Sequence, residues 1–421
     1  MLDGLHSLIL GPGKHHLSLD TTIAADVQAQ VYEDLGHIEN LQWVGLGFPM
    51  ASAAAILMFT RAYGQFNVKA FYINLPLAGI LSPVYIFLFP SRSPRPDLTN
   101  KEKLASMDWA GGMLNAIVFV LFIINLSFSG STYAWHSASS ITVWVVFGVC
   151  LIAYMVQQAF SIFTTDEERI FPVHFLRSRT LILLYVATGG AGAAQAITLY
   201  YTPLFFQFTQ GDSAMRAAVR LLPFICTYIF FVMVAGGSLP VVRRYNLYYL
   251  LGGGLIVTGG ALLFTISTAT SSARIYGYEI IVATGTGLTW QNAYSVAVAK
   301  VRPKDVPKAI GFINLAQIGT IAISLAIAGS LFQNLGFHEL QKAFADSGHR
   351  FPDDYIRSAL AGHISPVFSS TDQGIIHVAI KAVAETIRKM FGQVVAAGVL
   401  VTVSSLLMKF EKISLSIVAG G

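Results

Sequence analysis

Charge is scarce in this chain. Only 12% of its 421 residues are Asp, Glu, Lys or Arg, where a soluble domain carries about a quarter. That shortage excludes an ordinary water-soluble fold, because 54% of the residues are hydrophobic and one core of this size could not hide them. Cysteine is nearly absent. Cys150 and Cys226 both lie inside apolar runs, which excludes a disulfide framework or a cysteine metal cluster and reads both as small buried hydrophobes. No secretory leader is expected: the apolar stretch Leu5 to Leu10 stops at Gly11-Pro12-Gly13, too short for one. Clustered His, Asp or Cys of the kind a membrane-embedded enzyme needs, such as H-E-x-x-H, is also missing, so the chain is read as a non-enzyme without cofactor. His338, His349, His363 and His377 lack ligand spacing and read as solvated, so no metal is expected.

Long apolar runs are abundant, and mean hydropathy is +0.61. Runs near the roughly 20 residues that cross a bilayer occur at 41–60, 71–89, 109–128, 140–163, 180–208, 216–240, 246–269, 276–299, 308–334 and 390–408. They do not alternate polar and apolar, which excludes a β-barrel. Helices satisfy their own backbone groups in lipid, so the fold class is an all-α integral membrane bundle of about ten spans. Gly189-Gly190-Ala191-Gly192 and Gly252-Gly253-Gly254 read as faces for close helix packing.

The net charge of +5 sits mostly in short loops, which points to membrane topology rather than nucleic acid. Loop 90–108 carries Arg92, Arg95, Lys101 and Lys103; 129–139 carries no Lys or Arg; 164–179 carries Arg169, Arg177 and Arg179; 209–215 carries none. Loop 241–245 carries Arg243 and Arg244, 270–275 only Arg274, and 300–307 Lys300, Arg302 and Lys304. The alternation places loop 90–108 and the C-terminus in the cytoplasm. Arg61 and Lys69 make 61–70 cytoplasmic too, yet only the span 71–89 separates it from 90–108. One crossing cannot join two loops on one side. Either 61–70 is forced outside, or 71–89 does not cross, or an odd number of spans is missing between them.

Leu19-Asp20-Thr21-Thr22-Ile23 resembles the signature ending the first span of the fungal fourteen-span drug:proton antiporters of the major facilitator superfamily. Trp43 and the run after it resemble the second, and Tyr63-Gly64-Gln65-Phe66-Asn67-Val68-Lys69 the loop that follows. Phe71-Tyr72-Ile73-Asn74-Leu75-Pro76 resembles the start of the sixth span, Asp108-Trp109 of the seventh and Ile170-Phe171-Pro172 of the ninth. Only Ala70 separates the second-to-third loop motif from the sixth-span motif. The resemblance therefore implies a chain lacking spans three to five, and most of span one. It implies a remnant of the N-terminal half over 1–90, two additional spans over 91–165, and a C-terminal six-span half over 166–412 that includes an exterior segment 337–389.

Polar residues inside spans are costly in lipid and mark candidate sites. At 100° per residue, Thr284, Gln291 and Ser295 fall within about 40°, with Asn292 at the edge. Asn314, Gln317, Thr320 and Ser324 form a second stripe, and Thr188, Gln195, Thr202 and Phe206 a third if Pro203 does not shift the register. The substrate-cavity candidates are Gln195, Tyr200, Gln207, Thr284, Gln291, Asn292, Asn314 and Gln317. Neutral amides and aromatics suit an amphipathic organic solute; interhelical hydrogen bonding is the other reading. Trp290, Tyr200 and Tyr201 also read as lipid-interface anchors or packing residues. Glu279 reads as an interfacial residue or a proton carrier, and Asp20 as a proton-coupling carboxylate by resemblance. Arg220 reads as snorkelling to the headgroups. Segment 337–389 reads as two short amphipathic helices, with Ile375 to Met390 able to run into the last span.

The resemblance thus implies export of small organic molecules by proton antiport, impaired by the missing spans; the alternative is a transport-inactive remnant. Expected partners are a small organic substrate, protons and the bilayer. The plasma membrane is expected ahead of the vacuolar membrane.

Overall fold

The computed structural model describes residues 99–413 apart from 131–132, 361–364, 366, 369 and 371. The spans expected at 41–60 and 71–89, Asp20 and the Lys69–Phe71 junction lie outside the described residues. Within them the chain is helical. A short α1 (Asn100–Ala105) opens on a capping box between Thr99 and Glu102. Then come α2 (Trp109–Phe128) and α3 (Ala138–Phe160), a 3-10 turn at Val173–Arg177, α4 (Arg179–Gln210), α5 (Ala214–Arg220) and α6 (Leu222–Val242). They are followed by α7 (Tyr245–Leu263), α8 (Ser272–Trp290) and α9 (Asn292–Lys300). After α10 (Val306–Asn314) a π-helical segment, Leu315–Gly319, leads into α11 (Thr320–Asp346). The last elements are α12 (Asp353–Ser358), α13 (Gln373–Met390) and α14 (Gly392–Leu407).

Seven of the described helical stretches are long and apolar enough to cross a membrane. They match the hydropathy runs, since a span is set by about 20 apolar residues whatever its neighbours, except the run at 276–299, which is divided between α8 and α9. The chain is therefore an all-α, multi-pass integral membrane protein. α4 is the central helix: 72% of its most apolar stretch is buried, against 6% for α3 and 11% for α6. It packs against α14, α11 and α8, while α7 packs on α14 and α8, and α6 on α8. A lipid solvent offers no hydrophobic push between helices, so the packing relies on small residues. A Cβ on Gly398 would lie 2.6 Å from the Val257 nitrogen, and one on Gly190 2.9 Å from the Ala397 carbonyl.

α2 and α3 form a hairpin beside this bundle, and α2 rests on α11. Its anchor is Asp108, which is buried. This carboxylate caps α2 through the Gly111 amide at 2.8 Å. It also accepts from Gln157 at 3.0 Å and Gln158 at 2.8 Å at the end of α3, and from the Ile170 amide at 3.3 Å. One side chain thus ties the start of α2 to the end of α3 and to the segment leading into α4.

Loops sorted by charge in the sequence also meet in space. Lys304 reaches Glu167 at 3.1 Å, Lys300 reaches Glu411 at 2.6 Å, and the Ile413 amide donates to the Arg243 carbonyl at 2.8 Å. All belong to segments read as cytoplasmic. The lysine-poor loops 209–215 and 270–275 meet each other instead. Arg220 bonds Asp212, Gln210 (2.6 Å), Ser272 (3.0 Å) and Tyr276 (2.8 Å), with its guanidinium 4.5 Å over the Phe206 ring. Arg220 therefore does not snorkel; it joins α4, α5 and α8.

Two further readings change. The segment after 337 is not a separate helix but a continuation of α11 to Asp346. α13 packs along it, burying Phe337, Leu340 and Phe344, which gives that length of helix an apolar partner outside the span. α13 does run into α14, as one stretch from Gln373 to Leu407. Cys150 is half-buried and Cys226 exposed, both as free thiols, so Cys226 lies on an outward face of α6 rather than in a core.

Candidate functional site

Two interruptions of otherwise long helices face each other in the bundle. One is the joint between α8 and α9 at Gln291, where the chain makes a turn. Tyr294 donates its amide to Gln291 at 3.3 Å, one residue short of the α-helical partner, which leaves the Trp290 carbonyl without its usual donor. The other is the π-helical segment Leu315–Gly319, a device often found at functional sites. The Gln317 side chain from this segment donates to the Trp290 carbonyl at 3.0 Å. One break supplies what the other lacks.

A polar wall builds outward from that bond. The Tyr294 hydroxyl lies 2.6 Å from the Gln317 amide oxygen and also reaches Asn314. Tyr228 of α6 stands beside Tyr294 and beside the Gln195 amide of α4, and its ring is 6.1 Å from that of Trp290. Gln195, Gln317, Trp290 and Asn292 are buried, while Tyr228, Gln291, Tyr294 and Asn314 are half-buried. The cluster thus combines buried and half-buried polar side chains. Close backbone approach makes it possible. A Cβ on Gly192 would lie 3.1 Å from the Gln317 carbonyl, and one on Gly287 2.8 Å from the Tyr228 carbonyl.

Of the residues singled out in the sequence, the structure brings together Gln195, Asn314 and Gln317, and sets Gln291 and Asn292 at the helix break beside them. Asn292 bonds the Leu288 carbonyl at 3.0 Å, and its side-chain oxygen is buried without a hydrogen-bond partner among the described residues. Thr284 does not join; its hydroxyl is turned onto the Ile280 carbonyl at 2.8 Å, and the break at Gln291 interrupts the arc it was placed on. Tyr200 and Gln207 lie along α4 toward its C-terminal end, Tyr200 with its ring 5.1 Å from Tyr201 and Gln207 buried. Thr320 and Ser324 fall beyond the π-helical turn. Thr320 packs where a Cβ on Gly189 would meet it at 2.7 Å. Tyr228 and Tyr294 were not singled out in the sequence, where an aromatic inside a span carries no mark of a polar role.

Glu279 is fully buried on α8, and neither carboxyl oxygen has a hydrogen-bond partner among the described residues. The Thr202 side chain of α4 is its polar neighbour, without closing a hydrogen bond of good geometry. The third stripe continues past Pro203 because α4 runs unbroken to Gln210. Its residues meet three partners in turn: Thr188 faces Tyr249, Gln195 faces Tyr228 and Thr202 faces Glu279.

No family model matches the chain. Among solved structures, a bacterial homolog to the human lysosomal transporter Spinster, inward-facing and unoccupied, has a TM-score of 0.47 at 12% identity, covering 95% of this chain and 96% of that one. Among curated proteins, the MFS-type transporter patC of Penicillium expansum is 29% identical over 484 residues, covering 93% of this chain and 88% of its own. The MFS-type transporter pgmG of Aspergillus terreus is 37% identical over 325 residues, covering 76% of this chain and 57% of its own. The efflux pump patC of Aspergillus clavatus is 37% identical over 402 residues, covering 94% of this chain and 71% of its own length. With that identity sustained over that length, the chain belongs to the MFS-type transporters, the major facilitator superfamily.

Proposed function

We propose that this chain carries the substrate-binding half of a proton-coupled exporter of small organic, drug- or toxin-like molecules, and that spans missing between Lys69 and Phe71 keep it from exporting unaided. One observation carries the binding role: the Gln317–Trp290 bond that joins a π-helical turn to a helix break. Transporters build midplane sites from interrupted helices, whose freed backbone and polar side chains meet solute. Amides, phenols and an indole offer hydrogen bonds and stacking without fixed charge, which suits an amphipathic organic solute. Relatives named as efflux pumps support export as the direction. Glu279 is the proton carrier of this half, since an enclosed carboxyl without a partner exchanges a proton when water reaches it. Asp20, outside the described residues, is the second candidate. Residues 166–412 form the C-terminal half, 91–165 two added spans and 1–90 a remnant of the other half. The plasma membrane is the expected location.

A second reading, a transport-inactive remnant, is favoured by the alignment itself. The match to the Penicillium expansum transporter runs over 484 residues, but 93% of 421 is about 390. The difference of about 90 suits three spans of roughly 20 residues with their loops; the 402-residue match to the Aspergillus clavatus pump, taking in 94% of this chain, has no such difference. Cells expressing the 421-residue chain alone are expected to show no dye efflux that a proton uncoupler abolishes. Restoring the first span and inserting the three corresponding spans of a relative after Lys69 is expected to create it. Uncoupler-sensitive efflux by the unaltered chain contradicts the impairment, and a full-length insertion that stays inactive contradicts the exporter reading.

A further inference from the structure

On the face read as cytoplasmic, the loop after α3, the 3-10 turn and the turn before α10 enclose a cleft of about 500 Å³. Arg169, Arg177, Arg302, Lys304 and Lys308 line it, against the three carboxylates Asp166, Glu167 and Asp305. Each carboxylate already has a cation: Asp166 has Arg169 at 3.3 Å, Glu167 has Lys304 at 3.1 Å, and Asp305 has Arg302 at 3.1 Å. The lining therefore carries two more positive than negative side chains. Arg177 is exposed at the rim and has no carboxylate partner among the described residues. The Nε of Arg169 is buried with no hydrogen-bond acceptor among them. His174 adds a ring nitrogen, 3.6 Å from Asp305 and without a hydrogen bond.

We propose that this cleft binds the headgroup of a polyanionic phospholipid, a phosphoinositide, from the cytoplasmic leaflet. Three observations choose that ligand. The volume lies in the range of small-molecule pockets, about 300–1,000 Å³, and suits a sugar-sized ring rather than a bare phosphate. The excess charge requires an anion, and basic pockets between membrane helices on the cytoplasmic side are where anionic headgroups dock. Beside the charged lining, the chain presents apolar side chains to the outside. Phe160 follows the lining residue Ala159 and is 76% exposed, Phe163 is 91% exposed, and Leu176 precedes Arg177 and is 47% exposed. A lipid supplies acyl chains for these residues as well as a head for the cleft; a soluble anion supplies only the head.

The site does not depend on export, so it is tested by binding to the purified full chain. The probes are dioctanoyl phosphatidylinositol bisphosphate, dioctanoyl phosphatidylcholine, free inositol trisphosphate and inorganic phosphate. The dioctanoyl phosphoinositide is expected to bind saturably, and the other three at least tenfold more weakly. At about 1 kcal/mol per basic residue, removing two rim cations in Arg177→Gln/Arg302→Gln is expected to weaken it on the order of thirtyfold. Arg177→Gln/Lys304→Gln, a second rim pair, is expected to behave alike, which separates lost contact from misfolding of one variant. Arg243→Gln/Arg244→Gln, basic residues outside the cleft lining, is expected to stay within about twofold, since those charges lie outside the site. Inositol trisphosphate binding as tightly as the lipid overturns the lipid source. Equal losses in all three variants, or none in either rim pair, overturn the site.

Discussion

Gly285→Leu is expected to destroy the folded bundle, and Gly254→Leu to leave it intact, although both glycines lie in the same helical pair. A Cβ on Gly285 would stand 2.6 Å from the Gly252 carbonyl and 3.0 Å from the Ile256 nitrogen, and one on Gly252 would stand 2.7 Å from the Gly285 carbonyl. The obstacles are backbone atoms on both sides, so no rotamer change relieves the clash. α7 and α8 must separate, and α7 is also the packing surface for α14. Overpacking costs about 1–3 kcal/mol where side chains can shift, and here about 3 kcal/mol or more is expected. A Cβ on Gly254 meets nothing within 4 Å, so its substitution should change stability by about 0.5 kcal/mol or less. Thermal unfolding of the purified variants checks both. Equal behaviour of the two would show that the α7–α8 contact is not what holds the half together.

The second large effect concerns Glu279. In a chain with the missing spans restored, Glu279→Gln is expected to reduce uphill, uncoupler-sensitive efflux to the background of empty cells, while downhill equilibration of the same dye continues. Glutamine keeps the volume and a hydrogen-bonding oxygen but cannot release a proton. With Thr202 as its polar neighbour, the carboxyl is not needed to complete a hydrogen-bond network, so a purely structural role predicts little change. Unaltered uphill efflux in Glu279→Gln would remove this residue from coupling and return the role to Asp20. Loss of downhill movement as well would mark a structural defect instead.

The spans were legible in the sequence because each is a local property. Trp109 to Phe128 is the same 20 residues by hydropathy and by structure. Which loops share one end of the bundle was legible for the same reason, since charge counts alone group 164–179 with 300–307, and the Lys304–Glu167 pair joins them. The breaks that make the site were not legible. Leu315-Ala316-Gln317-Ile318-Gly319 has no proline, and nothing in it announces a π-helical turn; the segment packs against α4 at Gly189 and Gly192. The joint at Gln291 likewise has neither glycine nor proline. Helical-wheel arcs drawn through both positions therefore grouped Thr284 with Gln291 and Thr320 with Gln317, and missed Tyr294. Arg220 was misread because its partners lie eight residues away at Asp212 and more than fifty away at Ser272 and Tyr276, beyond the reach of local pattern.

The wall between the two broken helices is the centre of this account, and Trp290 reports on it. Titrating the purified chain with a panel of small amphipathic aromatic solutes, while following tryptophan fluorescence, tests it directly. The account predicts saturable quenching by at least one solute, lost in Trp290→Phe and weakened about tenfold in Gln317→Leu, where one buried hydrogen bond is removed. Quenching that survives Trp290→Phe, or no saturable quenching by any member of the panel, would contradict it.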